Sequence, residues 1–337
     1  MGASIQDVAE RAGVSIATVS RTFTLPDKVL PETRKKVLEA ARELDYTISR
    51  SASALKSGKS SRIAFLTGGE LDSWYDSHVL AGLNSILHDE GYDIPLYAVS
   101  DVQERHAFFS DMSIKRNADA VMVVSFQISH TEADKLATTG IPLLGINTEP
   151  IPEFSATVGI DETSSMELVV NHLFNQGHRS IAYVCLDPDT ESFKWNGRAR
   201  LQAFLSSCSK LGDQVEPTVI HAPKDETRAD YALSQLSRMN RPPTAVICMN
   251  DEYALPLIFC LQRSGWMVPR DMSVVGFDDS TYAREIGLTT IHQDPYEMGR
   301  SAATTLLGLL AGQEPSESVR IQPSFLAVRS TTAPPEH

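Results

Sequence analysis

The sequence predicts a small all-α module at the N-terminus, followed by an α/β body of two doubly wound parallel-sheet lobes. Three observations lead there. Capped helical patterns with one apolar face fill residues 4–44. From residue 62 onward, short continuous apolar runs alternate with amphipathic stretches, and the whole rhythm occurs twice. Charge divides at the same place: residues 1–60 carry ten Lys/Arg against seven Asp/Glu, the other 277 carry 20 against 36, and the total is −13. A basic module on an acidic body suits a chain that touches an anionic polymer with one end only.

The 337 residues suffice for two or three domains, and 42% hydrophobic with 22% charged residues excludes wholesale disorder. Apolar runs such as Leu257–Leu261 fall far short of the roughly 18 residues that span a bilayer. The first residues include Asp7 and Glu10 and do not read as a signal peptide. Cys185, Cys208, Cys248 and Cys260, spaced 23, 40 and 12 apart, form neither a zinc pattern nor a disulfide framework. The expectation is a cytoplasmic protein with no membrane contact and no cofactor.

In the head, Ser4 and Asp7 form a capping-box-like start to a helix over Ile5–Ala12, with Ile5, Val8, Ala9 and Ala12 on one face. Gly13 follows where a helix end needs a residue tolerant of the left-handed conformation. Ser15 caps a second helix, Ile16–Phe23, whose Val19 points back at the first. A small residue at the crossing, a turn glycine and an apolar anchor give the spacing of a helix-turn-helix, with Ser15–Arg21 as the helix for the major groove. The third helix is expected over Pro31–Leu44 with Val37, Leu38, Ala41 and Leu44 inward, but Leu30 supplies no polar cap, a loss of about 1 kcal/mol.

The strings SIQDVAERAGVSIATVSR (Ser4–Arg21) and ETRKKVLEAARELDY (Glu32–Tyr46) closely resemble the headpiece of the lactose-repressor (LacI/GalR) family of bacterial transcription regulators. That resemblance implies that Ile16, Ala17 and Arg21 read base edges, Arg21 with the chemistry for guanine and the other two for a thymine methyl. Ser15, Thr18 and Ser20 then position phosphates. Residues 49–61 contain six serines, which by composition fits a flexible linker. Within them, Ala52-Ser53-Ala54-Leu55-Lys56 resembles the family's hinge helix, with Ala52 and Leu55 facing DNA and Leu55 as the minor-groove wedge. Ile48-Ser49 replaces the usual Pro-Asn there.

In the body, Ile63–Leu66, Ile94–Val99, Ala120–Val124 and Leu143–Ile146 read as strands, with helices at Val79–His88, Glu104–Arg116 and Glu132–Thr138. The second block offers strands at Ile181–Cys185, Thr218–Ile220, Ala245–Cys248 and Val274–Phe277. Its helices lie near Glu162–Gln176, Arg198–Leu211, Arg228–Ser237 and Glu252–Ser264. Continuous apolar strands between amphipathic helices mean parallel sheets covered on both faces, with a ligand crevice at the carboxyl ends of the strands. NQGHRSIAYV, AVICMNDEYAL, VPRDMSVVGFDDS and LTTIHQDPYEMGR resemble blocks of the same family, implying its periplasmic-binding-protein-like architecture. The expected division is 1–48 for the headpiece, 49–61 for the hinge and 62–332 for effector binding and dimerisation. One lobe takes 62–160 and 290–321, the other 161–289 and 322–332, with crossovers near Gly159–Glu162, Leu288–Gln293 and Arg320–Ser324.

Residues just after strand ends are the candidates for the crevice: Asp72, Trp74, Tyr75 and His78 after the first strand, Asn147 after the fourth, and Trp195 ahead of Arg200. Asn250-Asp251 and Asp278-Asp279 each directly follow a strand, and Gln293 lies at a crossover. Carboxylates, amides, one arginine and aromatics suit a polyhydroxylated ligand. By family position, Arg200, Asn250, Asp278 and Gln293 match the common effector-binding set, with the Arg200 fork on vicinal hydroxyls and Asp278 accepting others. Trp74, Tyr75 and His78 depart from the family's Asn-Pro-Phe-Phe-like segment, and Asp225 stands where relatives place an aromatic. Asp279 reads equally as a loop brace, and Arg198 as a surface charge.

No catalytic motif is present: there is no phosphate loop, nucleophile elbow or HExxH, and His172 and His178 are six apart, off a helical metal spacing. The expected function is a DNA-binding transcriptional regulator, a repressor acting as a homodimer on a pseudo-palindromic operator and controlled by a small effector, a sugar by resemblance. Catabolite-control relatives add a protein corepressor as another route. The competing reading is a sugar-transport-type binding module without DNA function.

Overall fold

The helix starts of the head form where their caps place them. In the computed structural model, α1 (Ile5–Ala12) opens on a complete capping box, with Ser4 Oγ accepting from the Asp7 amide and Asp7 accepting from the Ser4 amide at 2.7 Å. It ends at Gly13, φ +67°, where the Val14 amide returns to the Ala9 carbonyl at 3.0 Å in a Schellman closure. α2 (Ile16–Thr24) is capped by Ser15 Oγ, which accepts from the Thr18 amide at 3.2 Å. α3 (Pro31–Glu43) starts on Leu30 with no side-chain cap. Val8, Ala9, Val19, Val37, Ala40 and Ala41 make the buried core of the three helices. Leu38, expected inward, is exposed, because Val37, Ala40, Ala41 and Leu44 already complete the inward face and Leu38 falls one residue off it.

The structure describes residues 3–24, 26–46, 60–68, 73–99, 102–110, 117–186 and 197–336. The described residues up to Ser61 form one compact unit and those from Arg62 onward a second.

In the second unit the strands of one lobe are β1 (Ile63–Thr67), β2 (Leu96–Ala98), β3 (Ala120–Val124), β4 (Leu143–Ile146) and β5 (Ala156–Gly159). Those of the other are β6 (Ser180–Leu186), β7 (Glu216–Ala222), β8 (Ala245–Cys248), β9 (Ser273–Asp278) and β10 (Thr289–His292), and β11 (Val319–Ile321) and β12 (Phe325–Ala327) close one edge of each sheet. The sheet orders are β11-β5-β4-β3-β1-β2 and β12-β10-β9-β8-β6-β7. All pairings are parallel except β10 with β12. Every residue of β1, β3, β4, β5, β8 and β9 is buried, as strands covered on both faces must be.

The covering helices of the first lobe are α4 (Trp74–Leu87), α5 (Val102–Ser110) and α6 (His130–Ala137). Those that follow are α7 (Glu162–Asn175), α8 (Gly197–Lys210), α9 (Arg228–Arg238), α10 (Asp251–Arg263), the short α11 (Thr281–Glu285) and α12 (Pro295–Leu310). α12 returns to the first lobe and crosses α4 closely enough that a Cβ on Gly299 would run into the Val79 carbonyl, and one on Gly82 into that of Tyr296. The chain passes between the sheets three times: from β5 to α7, after β10 at Gln293-Asp294, and between β11 and β12.

α4 starts five residues earlier than its apolar spacing suggests, because Ser73 Oγ accepts from the Asp76 amide at 3.0 Å and nucleates a turn through Trp74-Tyr75-Asp76. β2 is shorter than the apolar run that predicts it. Of the helix expected over 104–116, the described part is α5, and residues 111–116 lie outside the described residues.

Candidate functional site

The head presents one polar helix face with an apolar tip. On α2, Val19 and Thr22 turn into the core, and the Thr22 hydroxyl donates back to the Thr18 carbonyl at 2.9 Å. That leaves Ser15, Ile16, Ala17 and Arg21 exposed, with Thr18 and Ser20 half-buried beside them. Ile16, a large apolar side chain at the start of the helix, is 46% exposed. Ser15 and Thr18 share a hydroxyl contact at 2.9 Å that holds the cap. Ala52 and Leu55 lie outside the described residues.

The body holds a cleft of about 510 Å³ lined from both lobes. Six of the expected effector residues, Tyr75, Asn147, Arg200, Asn250, Asp278 and Gln293, meet in its wall. Strand ends and helix starts put them there: Asn147 follows β4, Asn250 caps α10 by accepting from the Tyr253 amide at 3.1 Å, and Asp278 ends β9. Trp74 does not line the cleft; its ring lies on His78 at 4.5 Å, and its amide reaches Glu252 Oε1 of the facing lobe at 3.5 Å. Asp72 and Trp195 lie outside the described residues.

Arg200 does not offer its fork to the cavity. Nε and Nη2 donate to the two oxygens of Glu162, each at 2.8 Å, Nη1 donates to the Met249 carbonyl, and the guanidinium lies 3.4 Å over the Phe277 ring. Burial works against its charge, yet the Glu162 carboxylate outweighs that and raises its pKa. In this arrangement Arg200 stiffens the wall and leaves few N–H groups for a ligand.

The acceptors are less well matched. Asp278 accepts from Gln293 Nε2 at 2.5 Å; burial and the nearby Asp251 carboxylate push it well above the usual range, against the pull of Arg200 and Gln293. Gln293 is 2% exposed, and its Oε1 is buried with no partner.

Asp76, which sequence reasoning missed, stands in the same wall. Its oxygens accept from Thr67 Oγ1 at 2.6 Å and Ser125 Oγ at 3.0 Å, and burial raises it to about 6. Ser125, also missed, directly follows β3 and is reached by the same strand-end rule that finds Asn147.

Backbone strain marks the same place. Ser125 (φ +61°), Asn147 (φ +49°), Asp278 (φ +120°) and Asp279 (φ +58°) take left-handed conformations at the carboxyl ends of β3, β4 and β9. Such residues persist only where their surroundings fix them. Asp279 does that fixing: it takes Arg329 at 2.5 Å, His292 at 2.9 Å and Arg284 at 3.3 Å, the brace that is one of its two sequence readings. Asp251 holds the next residue, accepting from the Ser280 amide at 2.7 Å and Thr290 Oγ1 at 2.8 Å, and burial raises it to about 6. Asp225 instead folds onto its own helix start, accepting from the Thr227 amide at 2.8 Å. Arg198 is exposed. His172 and His178 hold the C-terminal segment, through Thr332 Oγ1 at 3.0 Å and the Ala333 carbonyl at 2.9 Å.

Known proteins share both parts. The family model for bacterial regulatory proteins of the lacI family matches residues 4–49, and one for a periplasmic binding protein-like domain matches residues 170–332. The HTH-type transcriptional repressor CytR of Escherichia coli K12 is 31% identical over 340 residues, covering 98% of this chain and 96% of that protein. The HTH-type transcriptional repressor PurR of Pasteurella multocida is 28% identical over 308 residues, covering 90% and 91%. Among solved structures, the lac repressor dimer bound to operator and the anti-inducer ONPF superposes with a TM-score of 0.83 at 26% identity, covering 99% of this chain and all of that one. Helix-turn-helix, two-lobed body and identity sustained from end to end agree, and the chain belongs to the lacI family of bacterial regulatory proteins.

Proposed function

We propose that this regulator is a repressor, that it binds a pseudo-palindromic operator as a homodimer, and that a small polyhydroxylated effector, a sugar or sugar derivative, sets its hold on DNA. The observation that carries the reading is the cleft: residues distant in sequence and drawn from both lobes converge on one polar cavity, framed by strained strand ends. A ligand touching both walls distinguishes open from closed lobes, which it must do to shift any equilibrium. In this reading residues 1–48 read DNA, 49–61 form the hinge, and 62–332 bind effector and dimerise. The protein acts by binding rather than catalysis, in the cytoplasm.

Repeated selection of bound duplexes from a random DNA library tests the reading. It predicts enrichment of one two-fold-related motif with half-sites about one helical turn apart or a multiple of it. Enrichment of no sequence would refute it and favour a ligand-binding module without DNA function.

A further inference from the structure

The second-lobe wall of the cleft is laid out across strand ends, and its charges divide along that line. In the order β10-β9-β8-β6-β7, Gln293 follows β10, Asp278 ends β9, Glu252 follows β8, and Lys224 and Arg228 follow β7. Adjacent strands lie about 4.8 Å apart, so the ends of β9 and β7 are three spacings, roughly 14 Å, from each other. The carboxylates belong to the β9–β8 side: Asp278, Glu252 and, from the first lobe, Asp76, close enough to Glu252 for the two charges to repel. Arg200 is committed to Glu162 and to the Met249 carbonyl. The other cations of the wall, Lys224 and Arg228, both come from the β7 end.

Arg228 has no counter-charge in the protein. Among the described residues no carboxylate oxygen lies within ion-pair distance of it. Its Nη1 reaches only the carbonyls of Lys224 and Asp225, each at 3.4 Å, at the weak limit of a hydrogen bond. Its Nε is buried without a partner, and the guanidinium lies 5.3 Å over the ring of Tyr253, another residue of the cleft wall. Asp225, three residues before it, is exposed and turns Oδ1 onto the Thr227 amide and hydroxyl. A half-buried guanidinium so placed has lost water without gaining an anion.

A neutral sugar suits the β9 end, where its hydroxyls donate to carboxylates, but leaves Arg228 unmatched. A phosphate ester brings only acceptors and negative charge, the complement of a guanidinium fork beside an ammonium. The carboxylates then fix the ligand's direction, because a phosphate at their end would meet like charge. We infer that Arg228 and Lys224 form an anion subsite, and that the effector is a phosphorylated sugar with hydroxyls toward Asp278 and Asp76 and phosphate on Arg228 and Lys224. This rests on the reading of the cleft as the effector site and narrows it from sugars in general to sugar phosphates.

The test uses the full chain and pairs that differ only in the phosphate: D-glucose 6-phosphate against D-glucose, and trehalose 6-phosphate against trehalose. Each is followed by thermal shift up to 50 mM at pH 7.5 and constant ionic strength. The expected result is a raised midpoint for at least one phosphate, with a Kd at least tenfold below that of its neutral counterpart. Lys224→Gln with Arg228→Gln should abolish that advantage while unfolding as cooperatively as the parent chain. Arg238→Gln, which removes an exposed cation at the other end of α9, should keep it. Equal or tighter binding of the neutral member would overturn the inference, as would a phosphate preference that survives the double substitution or is lost equally in Arg238→Gln. Silence of both phosphates would also overturn it, since a millimolar Kd gives a visible shift at 50 mM. Failure of the regulatory reading would show separately, as absence of selected DNA, whatever the phosphates do to the midpoint.

Discussion

Replacing Asp76 by Asn should stabilise the protein at neutral pH, although it removes a group that makes two hydrogen bonds. Burial raises this carboxyl from 3.8 to about 6, so holding it ionised costs roughly 3 kcal/mol at 1.36 kcal/mol per pH unit. That figure is net of the two hydroxyl bonds, 2.6 and 3.0 Å long, which favour the ionised form. Asn stands in for the neutral carboxyl, so the gain expected is about 3 kcal/mol at pH 7.5, or roughly 6–12 °C in Tm. Because the folded pKa is the higher one, wild-type stability from this group is fully present below 3.8 and is lost as pH rises through about 6. The advantage of Asp76→Asn should therefore shrink steadily from pH 7.5 to pH 4. Differential scanning calorimetry of both proteins across that range measures it. A lower Tm for Asp76→Asn at pH 7.5, or a difference that does not vary with pH, would refute the account of this carboxyl as a buried charge that the protein does not compensate.

Three further outcomes follow from other contacts. Glu162→Ala should cost about 3–5 kcal/mol in urea unfolding, because it strands a buried guanidinium, and Arg200→Met with Glu162→Leu should recover most of that; a loss under 1 kcal/mol would show that the pair is solvated. Arg21→Ala should weaken binding to the selected operator by about 1–3 kcal/mol and largely spare random DNA, whereas equal losses would mean a phosphate contact. His178 is held neutral by burial, so the stability it contributes is full above pH 6.5 and is lost as pH falls through its lowered folded pKa. Accordingly, the protection factor of the Ala333 amide, taken against the intrinsic exchange rate at each pH, should fall as the pH drops below 6.5, while unchanged protection would show that the Ala333 carbonyl contact does not hold the C-terminal segment.

Much of this molecule is legible in its sequence, for reasons that are local. Ser4, Asp7, Gly13 and Ser15 announce helix ends because capping is a short-range hydrogen bond, and the central strands announce themselves because both faces are buried. β5, β10, β11 and β12 do not: Ala-Thr-Val-Gly and Thr-Thr-Ile-His are too short and too polar to stand out, and the pairing that makes them strands comes from distant chain. The candidate site divides the same way. Asn147, Asn250 and Asp278 are found because they follow strands. Asp76 lies one turn into a helix whose start depends on Ser73, and only the fold brings it to Thr67 and Ser125. The use of Arg200 by Glu162, 38 residues away, is likewise invisible before the lobes are assembled.

The central claim is that occupancy of the interlobe cleft governs DNA binding by the headpiece. Its most direct measurement is a titration of the selected operator with the full chain, with and without the compound that raises the melting midpoint most, in wild type and in Asp278→Ala. The account predicts that the compound changes wild-type operator affinity at least fivefold, and that Asp278→Ala binds operator but ignores the compound. A compound that binds the cleft and leaves operator affinity unchanged would contradict it, as would an undiminished response in Asp278→Ala.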